Sequence, residues 1–586
     1  MMKEIFELED ENYQEKGKVI SLGEAIARCV RPGMKLHINT GAYANAALRE
    51  IIRRYQGKKP EFTLISSGIT TPYEISLVCS GLVKKVITTN HSYTYPKPKP
   101  IPLMRKLQKE GYLQLEVWSL YSLEQRLMAG ALGVGFMPTR SLVRTTLADE
   151  NKESFATIND PFDAGSTIGA VKALCPDISI IHGCVADCEG NTILSPPYFT
   201  SIWGPRASKE GVLVTVEKVV SMETIRKNAS LVKIPGHMVR YVAEVPFGSH
   251  PQGLAAETIG IVEGYGEDYD FIESFVQHSQ SEEDLRKWIE EWILNVDHHG
   301  DYLQKLGTDR ILLLKGKSSV DAWRYEKLVC DLNGAEHVEY NSTEMMIIAG
   351  AREIAGIVRQ NQYKNILAGI GSPALAAWVA YYILKGNGEK VDLLTGLGHV
   401  GYAPRPGDPF LMTLSNTASS TMLTDSTEIY GTFVGGSHNK CLSVIGAAQI
   451  DKYGNINTVK IGNYNLIGLG GAGDAVNAQE TLVVTKLLRD RFMEKVPYIG
   501  CPGKSIRTIV TDLGIFEKLD DEDIFTLTKY IMPAPNMKKE ECLREIKERC
   551  GWEVKFSKEL QSVSHATAEE IGILRSLDPK GLFIGE

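Results

Sequence analysis

The feature that most narrows the fold of this chain is a repeat in the order of its elements. Near the start, Ser21-Leu22-Gly23-Glu24 has the spacing of a capping box. It opens an amphipathic helix with Leu22, Ala25, Ile26, Cys29 and Val30 on one side. Pro32-Gly33 follows, then a strand over 35–39, a glycine turn at Gly41, and a second helix through Ala46, Ala47 and Leu48 to Arg54. After residue 340 the same grammar returns. Asn341-Ser342-Thr343-Glu344 caps a helix through Val358, a strand covers 365–370, Gly371 turns the chain, and Ala376-Ala377-Trp378 sits in the next helix. Gly41 and Gly371 lie 330 residues apart, as do Ala46 and Ala376. The same spacing sets Ser66-Ser67-Gly68 over Gly396-Leu397-Gly398.

Further along, the run from His182 to Asn191 answers the run from Gly446 to Asn455. Each is an apolar strand ending in D-x-x-G-N, a tight turn in which Asp and Asn bond local backbone and Gly supplies positive φ. Asp187 and Asp451 are 264 residues apart, so the first half carries about 66 more residues between Gly68 and Asp187. One such motif is an ordinary hairpin turn. Its recurrence in the same order points to an ancestral duplication.

Strands alternating with helices predict an α/β class: two similar open α/β domains with mainly parallel, buried sheets, exemplified by the apolar runs 179–181 and 442–445. At 586 residues with 43% hydrophobic content, the chain is long enough for more than one core. The expected division is residues 1–318, a junction over 319–341, and residues 342–586. A polar, helix-rich stretch over 281–304 closes the first half. Residues 538–558 read as one charged amphipathic helix with a solvated face.

A net charge of -8, with no long basic block, gives no footprint for nucleic acid. The acidic N-terminus lacks the basic and apolar regions of a signal peptide, and no uncharged apolar run reaches membrane-spanning length, so a cytoplasmic protein that avoids the membrane is expected. Ten scattered cysteines read as reduced thiols. Neither Cys184 and Cys188 nor Cys542 and Cys550 have second ligands at zinc spacing.

Gly396, Gly398 and Gly401 spell G-x-G-x-x-G after a strand-like run. A dinucleotide fingerprint needs a helix to open at its last glycine. Here Pro404, Pro406 and Pro409 follow, removing backbone donors and pushing each preceding residue out of the α region. A glycine- and proline-rich loop at the end of a buried strand is expected, with no nicotinamide.

Two α/β halves with glycine turns after their first strands, paired D-x-x-G-N hairpins, and Gly468-Leu469-Gly470-Gly471-Ala472-Gly473-Asp474 together resemble the family I coenzyme A transferases. The resemblance is greatest to the glutaconate CoA-transferase branch, with α-like and β-like halves fused, and spans about residues 18 to 515. It also rests on Leu115-Glu116-Val117 and on Arg126 to Gly130. It implies an enzyme that moves CoA between carboxylic acids, with acyl-CoA and a free acid as small-molecule partners. Coenzyme A would be a cosubstrate, with no tightly bound cofactor and no metal; homo-oligomerisation is a further expectation.

In that family a glutamate in an E-x-G motif attacks the acyl-CoA carbonyl and becomes a glutamyl-CoA thioester. Here E-x-G falls on Gly396-Leu397-Gly398, so the nucleophile's position has no side chain; the equivalent residue of the first half is Ser66. Other acids in segments resembling the family site are Glu116, Glu124, Asp425 and Glu428. Branches without the glutamate hydrolyse a C-C bond or decarboxylate an acyl-CoA, and a non-catalytic acyl-CoA binder is a third reading. His399, on the same loop, is a candidate general acid or base, set against a histidine hydrogen-bonded within its loop. His438 reads as fixing a turn, and Tyr402 as lining the site's mouth. The candidate CoA-binding positions are Gly369, Gly371, Ser372, Gly396, Gly398, Gly468, Gly470, Gly471 and Gly473, where lack of Cβ admits a thioester and pantetheine arm.

Overall fold

The computed structural model describes residues 17–585 apart from 39–40, 164, 326–338, 438, 463, 520–521 and 533–536. The chain divides into two compact units, one made of residues up to Trp118 with 123–137 and 171–319, the other of 119–122, 138–170 and 320–586.

The first unit is built on a sheet whose parallel core follows the order Val239–Glu244, Val212–Val219, Ile178–Ala186, Lys35–Ile38, Phe62–Ile69, Val83–Tyr93 and Gln114–Val117. The central strand Ile178–Ala186 is buried at every residue, as expected of a parallel strand covered on both faces. Leu22–Cys29 starts at Ser21, whose hydroxyl accepts from the Glu24 N–H at 3.4 Å; it buries Ala25, Ile26 and Cys29. Glu24 bonds Arg28 instead of closing the expected box.

The second unit repeats the plan. Asn365–Ala368 lies parallel between Asp392–Leu394 and Cys441–Ile445, and the parallel run continues through Glu480–Val484 to Ile506–Val510. Leu36 of the first unit pairs with Leu64 and Ile178; Ile366, 330 positions on, pairs with Leu393 and Leu442. The equivalent strand therefore holds the same place in both sheets. Ser342–Asn361 begins with a complete capping box between Asn341 and Glu344. It packs with Ser372–Gly386 in one apolar core around the fully buried Trp378.

One expectation about local structure is corrected. The predicted helix over 538–558 ends at Arg549, because the chain turns through Cys550 and Gly551 and re-enters a sheet as Lys555–Ser562. The polar stretch over 281–304 comprises Glu282–Ile289, the π-helix Glu290–Leu294 and His299–Leu306. The proline-rich run after Tyr402 carries no helix before Leu414. No helix among the described residues is long and apolar enough to cross a membrane.

Candidate functional site

Open parallel sheets bind ligands beyond the carboxyl ends of their strands, where the strand order reverses. In the second unit that reversal falls beside Asn365–Ala368. Gly369 leaves this strand so close to its neighbour that an added Cβ would lie 2.7 Å from the Val444 carbonyl oxygen. Gly371, at φ +84°, then caps the helix that Ser372 begins. One strand over, Asp392–Leu394 runs into Thr395-Gly396-Leu397-Gly398. The Thr395 hydroxyl accepts from the Leu397 and His399 N–H groups at 3.3 and 3.4 Å and so folds the turn.

The space beside Gly396 is filled by the phenol of Tyr430. A Cβ on Gly396 would lie 2.1 Å from the Tyr430 hydroxyl oxygen, and a Cβ on Gly471 only 1.8 Å from it. Two glycines from separate loops thus leave a slot that admits the ring tip, and a side chain on either would displace it. Tyr430 stands on the π-helix Ile429–Val434, a wide turn that recurs at functional sites. Burial, and then the charge of Asp474, push its phenol well above the usual tyrosine range, so it remains an O–H donor at neutral pH.

Asp474 lies on the short helix Ala472–Ala475 after the glycine loop and is 1% exposed. Its carboxylate accepts from the Ser141 hydroxyl at 2.6 Å and from the Tyr121 N–H at 2.9 Å. Burial outweighs these bonds and raises its pKa to about 6. The hydroxyl of Tyr121 would lie 2.6 Å from a Cβ on Gly431, next to Tyr430. These groups form a polar cluster within the second unit: a tyrosine flanked by two glycine loops, facing a buried carboxylate.

The other predicted residues fall as follows. His399 is 1% exposed, with Nδ1 at 2.8 Å from the Thr395 hydroxyl and Nε2 at 3.0 Å from that of Thr417. Burial pulls its pKa down to about 3, so it is neutral at pH 7 with both ring nitrogens bonded to threonine hydroxyls. Tyr402 is fully buried and accepts from the Trp378 indole at 2.8 Å, which places it in the core rather than at a mouth. Asp425 caps a short helix by accepting from the Glu428 N–H at 3.0 Å, and Glu428 accepts from the Thr424 hydroxyl. Gly468 and Gly470 take positive φ in their loop, and a Cβ on Gly473 would meet the Leu469 side chain at 2.6 Å. Gly398 also has positive φ. His438 lies outside the described residues.

Glu116 and Glu124 belong to the first unit. Burial opposes the charge of Glu116, yet Lys85 at 2.6 Å, Arg126 at 2.7 Å and the Trp118 indole at 2.8 Å overcome it and hold the carboxyl below its ordinary value. This is the geometry of a carboxylate locked in an ion-pair cluster. Glu124 is buried on the helix Leu120–Ala131. Sequence reasoning missed Tyr430, Ser141 and Tyr121. The pairing of glycines at 396 and 471 signals a close approach but does not say what approaches.

The architecture of two open α/β units with glycine loops at their strand ends is shared with a solved structure. A solved acyl-CoA transferase from Escherichia coli O157:H7 shares the fold with a TM-score of 0.63 and 15% identity, over 94% of this chain and 95% of that one. The coenzyme A transferase family model matches residues 19–245. One of the glutaconate CoA-transferase subunits of Acidaminococcus fermentans is 29% identical over 320 residues, 51% of this chain and 94% of that protein. One of the 3-oxoadipate CoA-transferase subunits of Pseudomonas knackmussii is 30% identical over 268 residues, 41% of this chain and 94% of that protein. The chain belongs to the coenzyme A transferase family and is an enzyme of that superfamily, with the two kinds of half in one polypeptide.

Proposed function

We propose that this enzyme acts on an acyl-CoA by cleaving a C-C bond next to the thioester, by decarboxylation or hydrolysis, without passing through a glutamyl-CoA intermediate. The observation that carries this reading is the Tyr430 hydroxyl standing 2.1 Å from where the Cβ of a residue at 396 would lie. The slot that would take a nucleophilic carboxylate holds a phenol. In the proposed reaction the breaking C-C bond leaves its electron pair on the thioester, as an enolate. The Tyr430 O–H donates to the oxygen on which that charge develops, where a preorganised donor lowers the barrier most. A proton then returns to carbon. Asp474, Ser141 and Tyr121 hold the phenol's surroundings in place. In this reading His399 fixes the turn through its two threonines, and the glycine loops at 369–372 and 468–473 admit the acyl-CoA.

CoA transfer to a free acid is the second reading. It is favoured by the two sequence relatives, both of them parts of CoA-transferases. It requires a carboxylate other than residue 396 as nucleophile. In either case we infer an α-like half over 1–318 and a β-like half over 342–586 joined by 319–341, with coenzyme A entering as part of the substrate.

Incubating the protein with a panel of acyl-CoAs, with and without acetate, and following CoA esters by mass spectrometry separates the two. The proposal predicts loss of CO2 or addition of water at carbon whether or not acid is added. New CoA esters that form only with acid would overturn it.

A further inference from the structure

The first unit carries a concavity at the end of its sheet opposite the strand ends where α/β proteins place their chemistry. A cavity of about 520 Å³ is lined by Pro205, Arg206 and residues 208–211 on one wall and 237–240 on the other. Gly211 immediately precedes the strand Val212–Val219, and Val239 begins the strand Val239–Glu244, which pairs with it in parallel from Val212 onward. The cavity therefore sits at the amino ends of these strands, whereas ligands of the main site in such folds lie beyond the carboxyl ends. Its floor depends on close packing: at Gly211, φ +88°, a Cβ would lie 2.5 Å from the Met238 carbonyl oxygen.

The lining is basic in a chain whose net charge is -8. Arg206 and Lys209 stand on the first wall, His237 and Arg240 on the second. One carboxylate, Glu210, also lines the cavity, and it and the neighbouring Asp177 are already engaged. Glu210 pairs with Arg31 and lies 3.9 Å from Arg240; Asp177 accepts from the Lys35 N–H at 2.8 Å and lies 3.4 Å from Lys209. Arg206 gives one bond, at 3.3 Å, to the Lys233 carbonyl, and its guanidinium packs near the Trp203 ring at 5.3 Å. A guanidinium has five N–H donors, so others remain for a ligand. Basic side chains on two facing walls make a concave field that concentrates anions. Arginine forks suit phosphate oxygens. The volume exceeds what one phosphate needs and lies within the range of small-molecule sites.

We propose that this cavity binds a small phosphorylated anion carrying a diphosphate, a nucleoside diphosphate being the fitting size, at a site separate from acyl-CoA turnover. The anion bridges Arg206 and Lys209 on one wall to Arg240 and His237 on the other.

The test is titration calorimetry of the full chain with ADP and, separately, with pyrophosphate. Binding of either probe is expected, weakening as NaCl is raised from about 50 to about 200 mM because the contacts are ionic and partly solvated. Because coenzyme A itself contains an adenosine diphosphate, both titrations are run on protein saturated with CoA; under that condition tighter binding of ADP than of pyrophosphate would assign the rest of the cavity to the nucleoside, equal binding would assign recognition to the diphosphate alone, and binding abolished by CoA would overturn the site. Arg206→Ala with Arg240→Ala should weaken binding at least tenfold, and Arg206→Lys with Arg240→Lys should restore part of it. The melting temperature and the KM for acyl-CoA should be unchanged in both double variants. Absence of binding by both probes, binding indifferent to the alanine pair, or a KM for acyl-CoA that rises with it would overturn the proposal.

Discussion

At Asp187–Asn191 and again at Asp451–Asn455 the chain builds one turn twice, bond for bond. Asp187 Oδ1 accepts from the N–H groups of Glu189 and Asn191 at 3.1 and 2.9 Å, and Asp451 Oδ1 from those of Tyr453 and Asn455 at 3.0 and 2.9 Å. Each asparagine side chain then returns a bond to its aspartate and accepts one from a distant glycine N–H, Gly236 in one half and Gly503 in the other. At Ser66 and Gly396 the halves part company. The Ser66 hydroxyl bonds the Gly68 carbonyl at 2.8 Å and lies 3.4 Å from the buried carboxyl of Glu74. Gly396 instead yields its space to Tyr430. The turn residues that serve the backbone match in the two halves, while the strand ends at Ser66 and Gly396 do not. In the proposed reading, that divergence belongs to the half whose strand end faces the acyl-CoA.

The sharpest way to break this contrast is at Tyr430. Tyr430→Phe keeps the ring in its slot and removes the donor, so kcat should fall by about 10²–10³-fold with little change in melting temperature. A fall under about threefold would place the phenol outside the reaction, since loss of a transition-state donor costs far more.

A comparison of pH dependence sharpens the contrast, because each half buries one acid near its strand end. Burial raises Glu74 to about 7 and Asp474 to about 6, so the folded protein holds these protons more tightly than the unfolded chain. Stability is therefore greatest at acid pH with respect to these two groups. It falls as pH rises through roughly 4 to 6 for Asp474 and roughly 4.5 to 7 for Glu74, by up to about 3 kcal/mol each. Asp474→Asn and Glu74→Gln should each flatten the slope in its own window, measured by chemical denaturation at stepped pH. An unchanged slope in either variant would show that its carboxyl carries no buried proton.

The duplicated turns should respond alike. Asp187→Ala and Asp451→Ala each remove the acceptor of two turn N–H groups and of an asparagine amide, and Asp451→Ala also that of the Val496 N–H at 3.3 Å; each should cost about 2–3 kcal/mol of stability. A difference above about 1 kcal/mol between them, larger than one ordinary hydrogen bond, would break the equivalence. The smallest effect belongs to Ser66→Ala, for which kcat should stay within about twofold because the bonds it loses, to the Gly68 backbone and the Glu74 carboxyl, belong to the first half's own turn.

Much of the frame was legible in the sequence, because turns and strands in an α/β fold are written locally. Asn341 and Glu344 supply both halves of a capping box, and the glycines at 41 and 371 mark where the equivalent strands end. The same local logic overran at 538–558, where charged helical periodicity concealed the stop at Cys550 and Gly551. The site was legible only as a vacancy. Gly396 could be read as a missing carboxylate, but Tyr430 reaches it from 34 residues away through a π-helix that no short pattern announces. His399 stood beside the vacancy in sequence and drew a catalytic reading. Its burial depends on Thr395 and Thr417 closing over both nitrogens, which is a tertiary fact.

If the phenol has taken over the slot at Gly396, no carboxylate of this protein becomes acylated or thioesterified during turnover. Mixing the full chain with an acyl-CoA that it consumes, quenching in acid within the first turnovers and weighing the intact protein tests that directly. An unmodified mass throughout is the expected result. A protein heavier by a CoA thioester, mapped to a glutamate or aspartate peptide, would contradict it and restore CoA transfer through an alternative nucleophile.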